Sequence, residues 1–311
     1  MITLDRLTKK FGPILAVNGI SLSIRRGEVL GFLGPNGAGK TTTMRMITGF
    51  LPPSGGTVVV GDFDVTKNPI AARRLIGYLP EGAPLYGDMT PAAFLDFIAG
   101  MRGFGGQQKK ERVDWAVETL QLTGVLHRPI DTLSKGYKRR VGLAQAILHD
   151  PAVLILDEPT DGLDPNQKHQ VRSLIRGMAR DKAIIISTHI LEEVESVCTR
   201  SVIIADGRIV FDGAPRDLQR RSRRYNAVAV RLQHESSAAL AKEIALLPGV
   251  AEVDTVDDAV GLSTLLVIPQ DGHQIIHELS ECVRASGVAV EEMYAERGDL
   301  SEVFRQLTTA A

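Results

Sequence analysis

Short apolar runs, separated by stretches of helical period, organise the first two thirds of the chain. Glu28–Leu33, Thr57–Val60, Leu75–Leu79, Val153–Asp157, Ala183–Thr188 and Val202–Ala205 read as strands. Strands alternating with helices predict an α/β domain with a largely parallel sheet. The last run is followed by Asp206-Gly207 and then Arg208–Phe211, which predicts a hairpin. After Tyr225 the pattern changes. Asn226–Leu232 reads as a strand, Ser237–Leu247 as a helix, Val250–Val256 and Leu262–Ile268 as paired strands, His273–Ala285 as a helix and Val288–Tyr294 as a strand. That β-α-β-β-α-β order predicts a small ferredoxin-like α+β domain. Leu300–Leu307 reads as an amphipathic helix that packs back on the main body.

The predicted division is therefore a large α/β domain over residues 1–215, a linker over 216–225 and an accessory domain over 226–311. The linker is strongly basic, with Arg216, Arg220, Arg221, Arg223 and Arg224. A solvated boundary is the favoured reading of it, and contact with anionic lipid headgroups is the alternative. The accessory domain carries no cluster of catalytic residue types and reads as regulatory or dimer-supporting.

Composition narrows the function classes. Apolar residues make up 44% of the 311 and charged residues 23%, a balance that supports a sizeable core. A formal net charge of -1 and 5% aromatics give nucleic acid no footing as the main partner. No apolar run reaches the roughly 18–20 residues that a membrane helix needs. The N-terminal Met-Ile-Thr-Leu-Asp-Arg does not read as a signal peptide. Cys198 and Cys282 match no metal or redox spacing and read as thiols in a reducing compartment.

Chemistry enters with Gly34-Pro-Asn36-Gly37-Ala-Gly39-Lys40-Thr41, which fits G-x-x-x-x-G-K-[ST] between a predicted strand and helix. Gly34, Gly37 and Gly39 let backbone N–H groups close around phosphate oxygens, and the following helix N-terminus adds fixed positive potential. Lys40 supplies a cation for the β- and γ-phosphates, Thr41 a hydroxyl for Mg²⁺, and Thr42 a donor for the α-phosphate. Alone, this loop says only nucleotide phosphate. Val153–Leu156 then runs into Asp157 and Glu158. Ligands of open α/β sheets bind at the C-terminal strand edge. Asp157 is placed there to hold Mg²⁺ through water, and Glu158 to polarise an attacking water. Ile184-Ile-Ile-Ser-Thr-His189 brings a histidine to the same edge, where it can orient water or bond the γ-phosphate.

Between these segments lies Thr132-Leu133-Ser134-Lys135-Gly136-Tyr137, continuing through a helix to Leu148. It resembles the LSGGQ signature of ABC ATPases. The order agrees over roughly residues 2–212: phosphate loop, signature, acidic strand, Asp161-Gly-Leu-Asp164 as D-loop, and His189. The resemblance implies a P-loop NTPase fold with a helical subdomain at about 85–150. It also implies ATP and Mg²⁺, and a head-to-tail homodimer with composite sites. In each site Lys40, Asp157, Glu158 and His189 of one copy would face Ser134 and Gly136 of the other, with Phe11 stacked on adenine or serving as a core aromatic. Asp164 would connect the two sites.

Two motifs depart from the family pattern. Lys135 and Tyr137 replace the usual Gly and Gln, and Glu81 stands where a glutamine is usual and can approach Mg²⁺ but cannot donate as an amide does. Leu-Pro-Glu81, Leu-Ser-Lys-Gly-Tyr and the ending Leu300–Leu307 resemble a bacterial exporter branch that includes gliding-motility ATPases. That resemblance implies a subunit on the inner face of the cell membrane, docked on an integral permease; a mechanical ATPase that transports nothing is the alternative. In the family the neighbourhood of Ala83–Arg102 receives a short helix of the membrane subunit, which places Tyr86 and Met89 near that groove.

Overall fold

The computed structural model describes residues 1–82, 85–257 and 261–309, and divides into two compact units, Met1–Gly213 and Ala214–Thr309. The first unit opens with β1 (Ile2–Phe11) and β2 (Ile14–Ile24), then β3 (Val29–Leu33) and α1 (Lys40–Ile47). β4 (Gly55–Val60), β5 (Phe63–Asp64) and α2 (Pro69–Arg74) lead to β6 (Ile76–Leu79). Three helices follow: α3 (Pro91–Met101), α4 (Gly106–Thr119) and α5 (Lys135–Ile147). β7 (Val153–Asp157), α6 (Pro165–Met178), β8 (Ala183–Ser187) and α7 (Leu191–Val197) precede the hairpin β9 (Arg200–Ala205) and β10 (Arg208–Gly213).

Two sheets result. β10-β9-β3-β8-β7-β6 is parallel except for β10, and β2-β1-β4-β5 is antiparallel. The run at Thr57–Val60 thus belongs to the antiparallel sheet, not the parallel one. Strand alternation builds two cores at once. Leu154, Leu156, Ile184 and Ile186 face a core shared with Phe94, Leu95 and Leu143 of the helices. Val153, Ile155, Ala183 and Ile185 face a second core shared with Ile2, Val17 and Met44.

The second unit has α8 (Pro215–Gln219), β11 (Tyr225–Gln233), α9 (His234–Ile244), β12 (Val250–Asp257), β13 (Leu262–Pro269), α10 (Ile276–Ser286), β14 (Val290–Arg297) and α11 (Leu300–Thr309). Its antiparallel sheet runs β12-β13-β11-β14, with Val228, Val230, Leu265 and Val267 turned toward Leu240 and Leu279 of the helices. Element order and sheet order are those of a ferredoxin-like domain.

The stretch read as a linker lies inside this unit. Pro215 opens α8, and Ser222 is buried, accepting from the Asp299 N–H at 2.9 Å and donating to Glu302 at 3.2 Å. Arg220 pairs with Asp217 at 3.7 Å, and Arg223 with Glu252 and Asp254. Partners within the unit thus engage part of the basic run, which weakens the lipid reading. α11 packs against α8, so its apolar face is used within the same unit. Cys198 and Cys282 are free thiols, and burial pushes Cys198 up to about 12. No helix among the described residues is long and apolar enough to cross a membrane.

Candidate active site

The parallel register decides what meets at the sheet edge. Ser187 lies beside Phe32 of β3 and beside Asp157 of β7, so the segments leaving these three strands emerge together. The loop after β3 turns into α1 at Gly39, whose φ is 104°. A Cβ there would stand 2.5 Å from the Ala16 carbonyl oxygen, so only glycine fits.

Lys40, the first residue of α1, is buried, and its Nζ donates to the Gly34 carbonyl at 2.6 Å and the Pro35 carbonyl at 3.0 Å. Burial lowers its pKa, and the field of Glu158, Asp157 and Glu81 opposes that shift. Thr41 and Thr42 are half-buried beside it, while Asn36 and Gly37 are exposed.

Asp157 is 2% exposed. Its Oδ1 accepts from the Ser187 hydroxyl. Its Oδ2 is buried with no hydrogen-bond partner among the described residues. A buried carboxylate oxygen without a donor is costly, and a hydrated cation would relieve it. Thr41 and Asp157 therefore make a donor set that fits Mg²⁺, which keeps several waters and takes few protein ligands. Among the described residues no group of three His, Cys, Asp or Glu side chains could cage a metal.

Glu158 follows with φ 49°, in the left-handed region. Three contacts hold that backbone. Its N–H donates to the Ser187 carbonyl at 3.0 Å, and its carbonyl accepts from the Asp161 N–H at 3.2 Å and from the Arg139 guanidinium. The carboxylate turns to His189, with Oε1 2.9 Å from Nδ1. The Glu158 side chain is 15% exposed and the His189 ring 63%, so the pair opens to solvent on the imidazole side.

Behind it lies a group that sequence reasoning did not single out. Glu193 is buried, accepts from the Thr160 hydroxyl and from Thr188 at 2.9 Å, and lies 3.8 Å from Arg172. Burial raises its pKa. Its place four residues after His189, on α7, was the available signal. For Ser187 and Arg139 the sequence carries no equivalent cue, because strand register and helix rotation decide their partners.

The remaining expected residues are placed as follows. Glu81 is exposed in the turn after β6, and its charge reaches Lys40 and Arg139. Phe11 ends β1, 47% exposed, with Lys9 Nζ 5.2 Å from its ring centre. It is therefore not a core aromatic. Ser134 caps α5, its hydroxyl accepting from the Tyr137 N–H at 3.4 Å. Gly136 is buried against Gln167, whose Oε1 would lie 2.5 Å from an added Cβ. Among the described residues no hydrogen bond or ion pair joins the Ser134–Tyr137 segment to residues 34–42. Asp164 caps α6 by accepting from the Gln167 N–H at 2.9 Å.

Tyr86 rests edge-on against Phe94 and Phe97, and Met89 packs on the helical core. A cleft of about 820 Å³ lies nearby in sequence terms but is lined by Phe50, Ile70, Arg73, Arg74, Met101 and Arg102, without Tyr86 or Met89. Ala83, where the expected groove stretch begins, lies outside the described residues.

A family model described as ABC transporter matches residues 17–161. The chain is 37% identical over 222 residues to the uncharacterized ABC transporter ATP-binding protein YxlF of Bacillus subtilis (strain 168), covering 71% of this chain and 73% of that protein. It belongs to the ABC transporter ATP-binding proteins. To the Nod factor export ATP-binding protein I of Burkholderia orbicola (strain AU 1054) this ABC protein is 39% identical over 218 residues, covering 70% of the chain and 72% of the relative. A solved structure of an ATP binding subunit of an ABC transporter matches it with a TM-score of 0.66 at 29% identity, over 71% of this chain and 92% of that one. The first unit is accordingly an ABC ATPase domain of the P-loop class, and the protein is an ATP hydrolase.

Proposed function

We propose that this ABC protein powers a separately encoded membrane exporter by closing and opening a homodimer around ATP. The observation that carries the dimer is the position of the signature. Ser134 and the first turn of α5 present a helix N-terminus that bonds nothing in the chain's own phosphate loop. Such a terminus attracts anionic phosphate. A second copy, turned head to tail, would bring its Ser134 and Gly136 to the γ-phosphate held by Lys40.

Within each site Lys40 and the amides of Gly37, Gly39, Thr41 and Thr42 hold the triphosphate, Asn36 borders it, and Phe11 offers a face to adenine. Thr41 and Asp157 would hold Mg²⁺, with Glu81, whose charge reaches Lys40, as a further candidate. When bound, that ion supplies charge neutralisation on the β- and γ-phosphates. Glu158 takes a proton from the attacking water, and His189 fixes the carboxylate and reaches the γ-phosphate. Hydrolysis removes the charge that bridges the two copies.

The permease would meet the cleft at Phe50, Ile70 and Met101, which are 77%, 68% and 73% exposed. Arg73 and Arg74 line the same cleft. This combination suits a short permease helix with an apolar face and a carboxylate, on the inner side of the cell membrane. The C-terminal domain, with its own core, would support or regulate the dimer.

The deciding experiment uses Glu158→Gln. With ATP and Mg²⁺ the variant is expected to bind nucleotide, turn over at background rate and elute as a stable dimer in size-exclusion chromatography. Hydrolysis at the unsubstituted rate would remove Glu158 as base, and an ATP-loaded monomer would remove the composite site. ATP-driven movement of solute in vesicles that hold this protein with a co-purified membrane subunit separates export from the mechanical alternative.

A further inference from the structure

Arg139 is buried on α5, five residues beyond Ser134, and its guanidinium joins two parts of the site. One nitrogen donates to the Pro80 carbonyl at 3.3 Å, and the other donates to the Glu158 carbonyl. Pro80 precedes Glu81 in the turn after β6, and Glu158 sits in its left-handed turn after β7. A buried cation needs compensation. Here it comes from both carbonyls and from the field of Asp161, Glu158, Asp157 and Glu81.

We infer that Arg139 is a positioning residue. It holds the Glu158 turn at positive φ and ties it to the segment carrying Glu81, so that a shift of that segment moves the base. Non-glycine residues occupy this φ region only when their surroundings enforce it. The Glu158 N–H is fixed by Ser187, and its carbonyl by the Asp161 N–H and Arg139. Of these three, only Arg139 reaches a second segment outside the strands β7 and β8. A planar guanidinium holds its separate donors in a fixed fork that spans two carbonyls of different segments, whereas an ammonium brings all its donors to one point on a flexible stem. The link also starts in the helix that Ser134 caps, so the signature, the Glu81 turn and the base share one rigid connection.

The inference rests on Glu158 being the base, and the test keeps the two apart. Steady-state ATP hydrolysis is measured for the full chain and for Arg139→Met, Arg139→Lys and Glu158→Gln. Arg139→Met is expected to lower kcat at least tenfold with KM for ATP within twofold. Arg139→Lys should fall between the two, and a crystal structure of Arg139→Met should show Glu158 relaxed to negative φ. The double variant Glu158→Gln with Arg139→Met should still form the ATP-dependent dimer. Should Arg139→Met fail to fold, Arg139→Lys decides: an intermediate kcat at unchanged KM supports the link, and an unsubstituted kcat overturns it. An Arg139→Met enzyme with normal kcat, or with KM raised in proportion to lost activity, overturns the inference while Glu158→Gln remains inactive. If Glu158→Gln itself hydrolyses ATP normally, the base assignment falls, and the positioning role falls with it.

Discussion

His189 Nδ1 and Glu158 Oε1 lie 2.9 Å apart, although 31 residues separate them in sequence. The parallel pairing of β7 with β8 sets Asp157 beside Ser187, and one residue past the first and two past the second reach the same point. The imidazole therefore orients the carboxylate before any nucleotide does. If Glu158 is the base as proposed, a base already aimed costs little reorganisation at the moment of reaction.

Replacing His189 with Ala should lower kcat by about 10²-fold or more, because the proposed base it positions is itself worth about 10²- to 10⁴-fold. ATP binding, measured by equilibrium titration with a fluorescent analogue, should change less than threefold, because the ring bonds Glu158 and not the phosphate loop. Loss of binding in parallel with turnover would mean that His189 serves mainly to hold nucleotide.

Asp157→Asn should raise the Mg²⁺ concentration needed for half-maximal hydrolysis at least tenfold. The carboxylate has one oxygen on Ser187 and one buried without a partner among the described residues, so the amide would put a donor where a cation is wanted. Ser187→Ala frees the first oxygen and should give a smaller rise. Metal titration of the hydrolysis rate distinguishes the two variants. An unchanged Mg²⁺ requirement in Asp157→Asn would place the ion elsewhere.

The parts of this fold legible in the sequence are those whose signal is local. The phosphate loop, the acidic end of β7 and the strand before His189 each carry motif and strand in one stretch. The second unit was legible because its strands are short runs rich in Val, Leu, Ile and Ala between helical stretches, although β11 and β13 are buried almost continuously rather than in alternation. β1 and β2, by contrast, drew no strand assignment. Register shifts follow Leu4, Leu7 and Lys9, and Arg6 sits at φ 44°, so the alternation of Ile2 and Leu4 breaks before Leu7. Arg139, Ser187 and Glu193 act through partners far along the chain, and a single sequence does not show which side chains a register brings together.

Gly39→Ala should cost about 2 kcal/mol or more of stability, since the new Cβ meets both a positive φ and a backbone oxygen that cannot move aside cheaply. Urea denaturation checks the loss. ATP affinity should fall at least tenfold in the same protein, because the turn that delivers Lys40 is displaced. Gly12→Ala is the control: its φ is also positive, at 55°, but nothing lies within 4 Å of an added Cβ. It should cost only about 1 kcal/mol and leave ATP affinity intact.

His149 should make the protein acid-sensitive well above the carboxylate range. Its Nε2 lies 3.0 Å from the Ile76 carbonyl, and its Nδ1 is buried without a partner among the described residues. Burial, aided by Arg102 and Lys182, lowers its pKa from 6.5 to about 4. The folded state thus resists a proton that the unfolded chain accepts at about 6.5. Stability from this neutral ring is fully present above that value and is lost as pH falls toward about 4. The shift corresponds to about 1–3 kcal/mol once partial solvent access is allowed for. His149→Gln keeps a donor for the Ile76 carbonyl but does not titrate. The difference in unfolding free energy between the two proteins, measured by urea denaturation from pH 7.5 to about pH 4, should therefore move against the histidine form as pH drops. A difference that stays constant over that interval would mean that the ring is as easily protonated folded as unfolded.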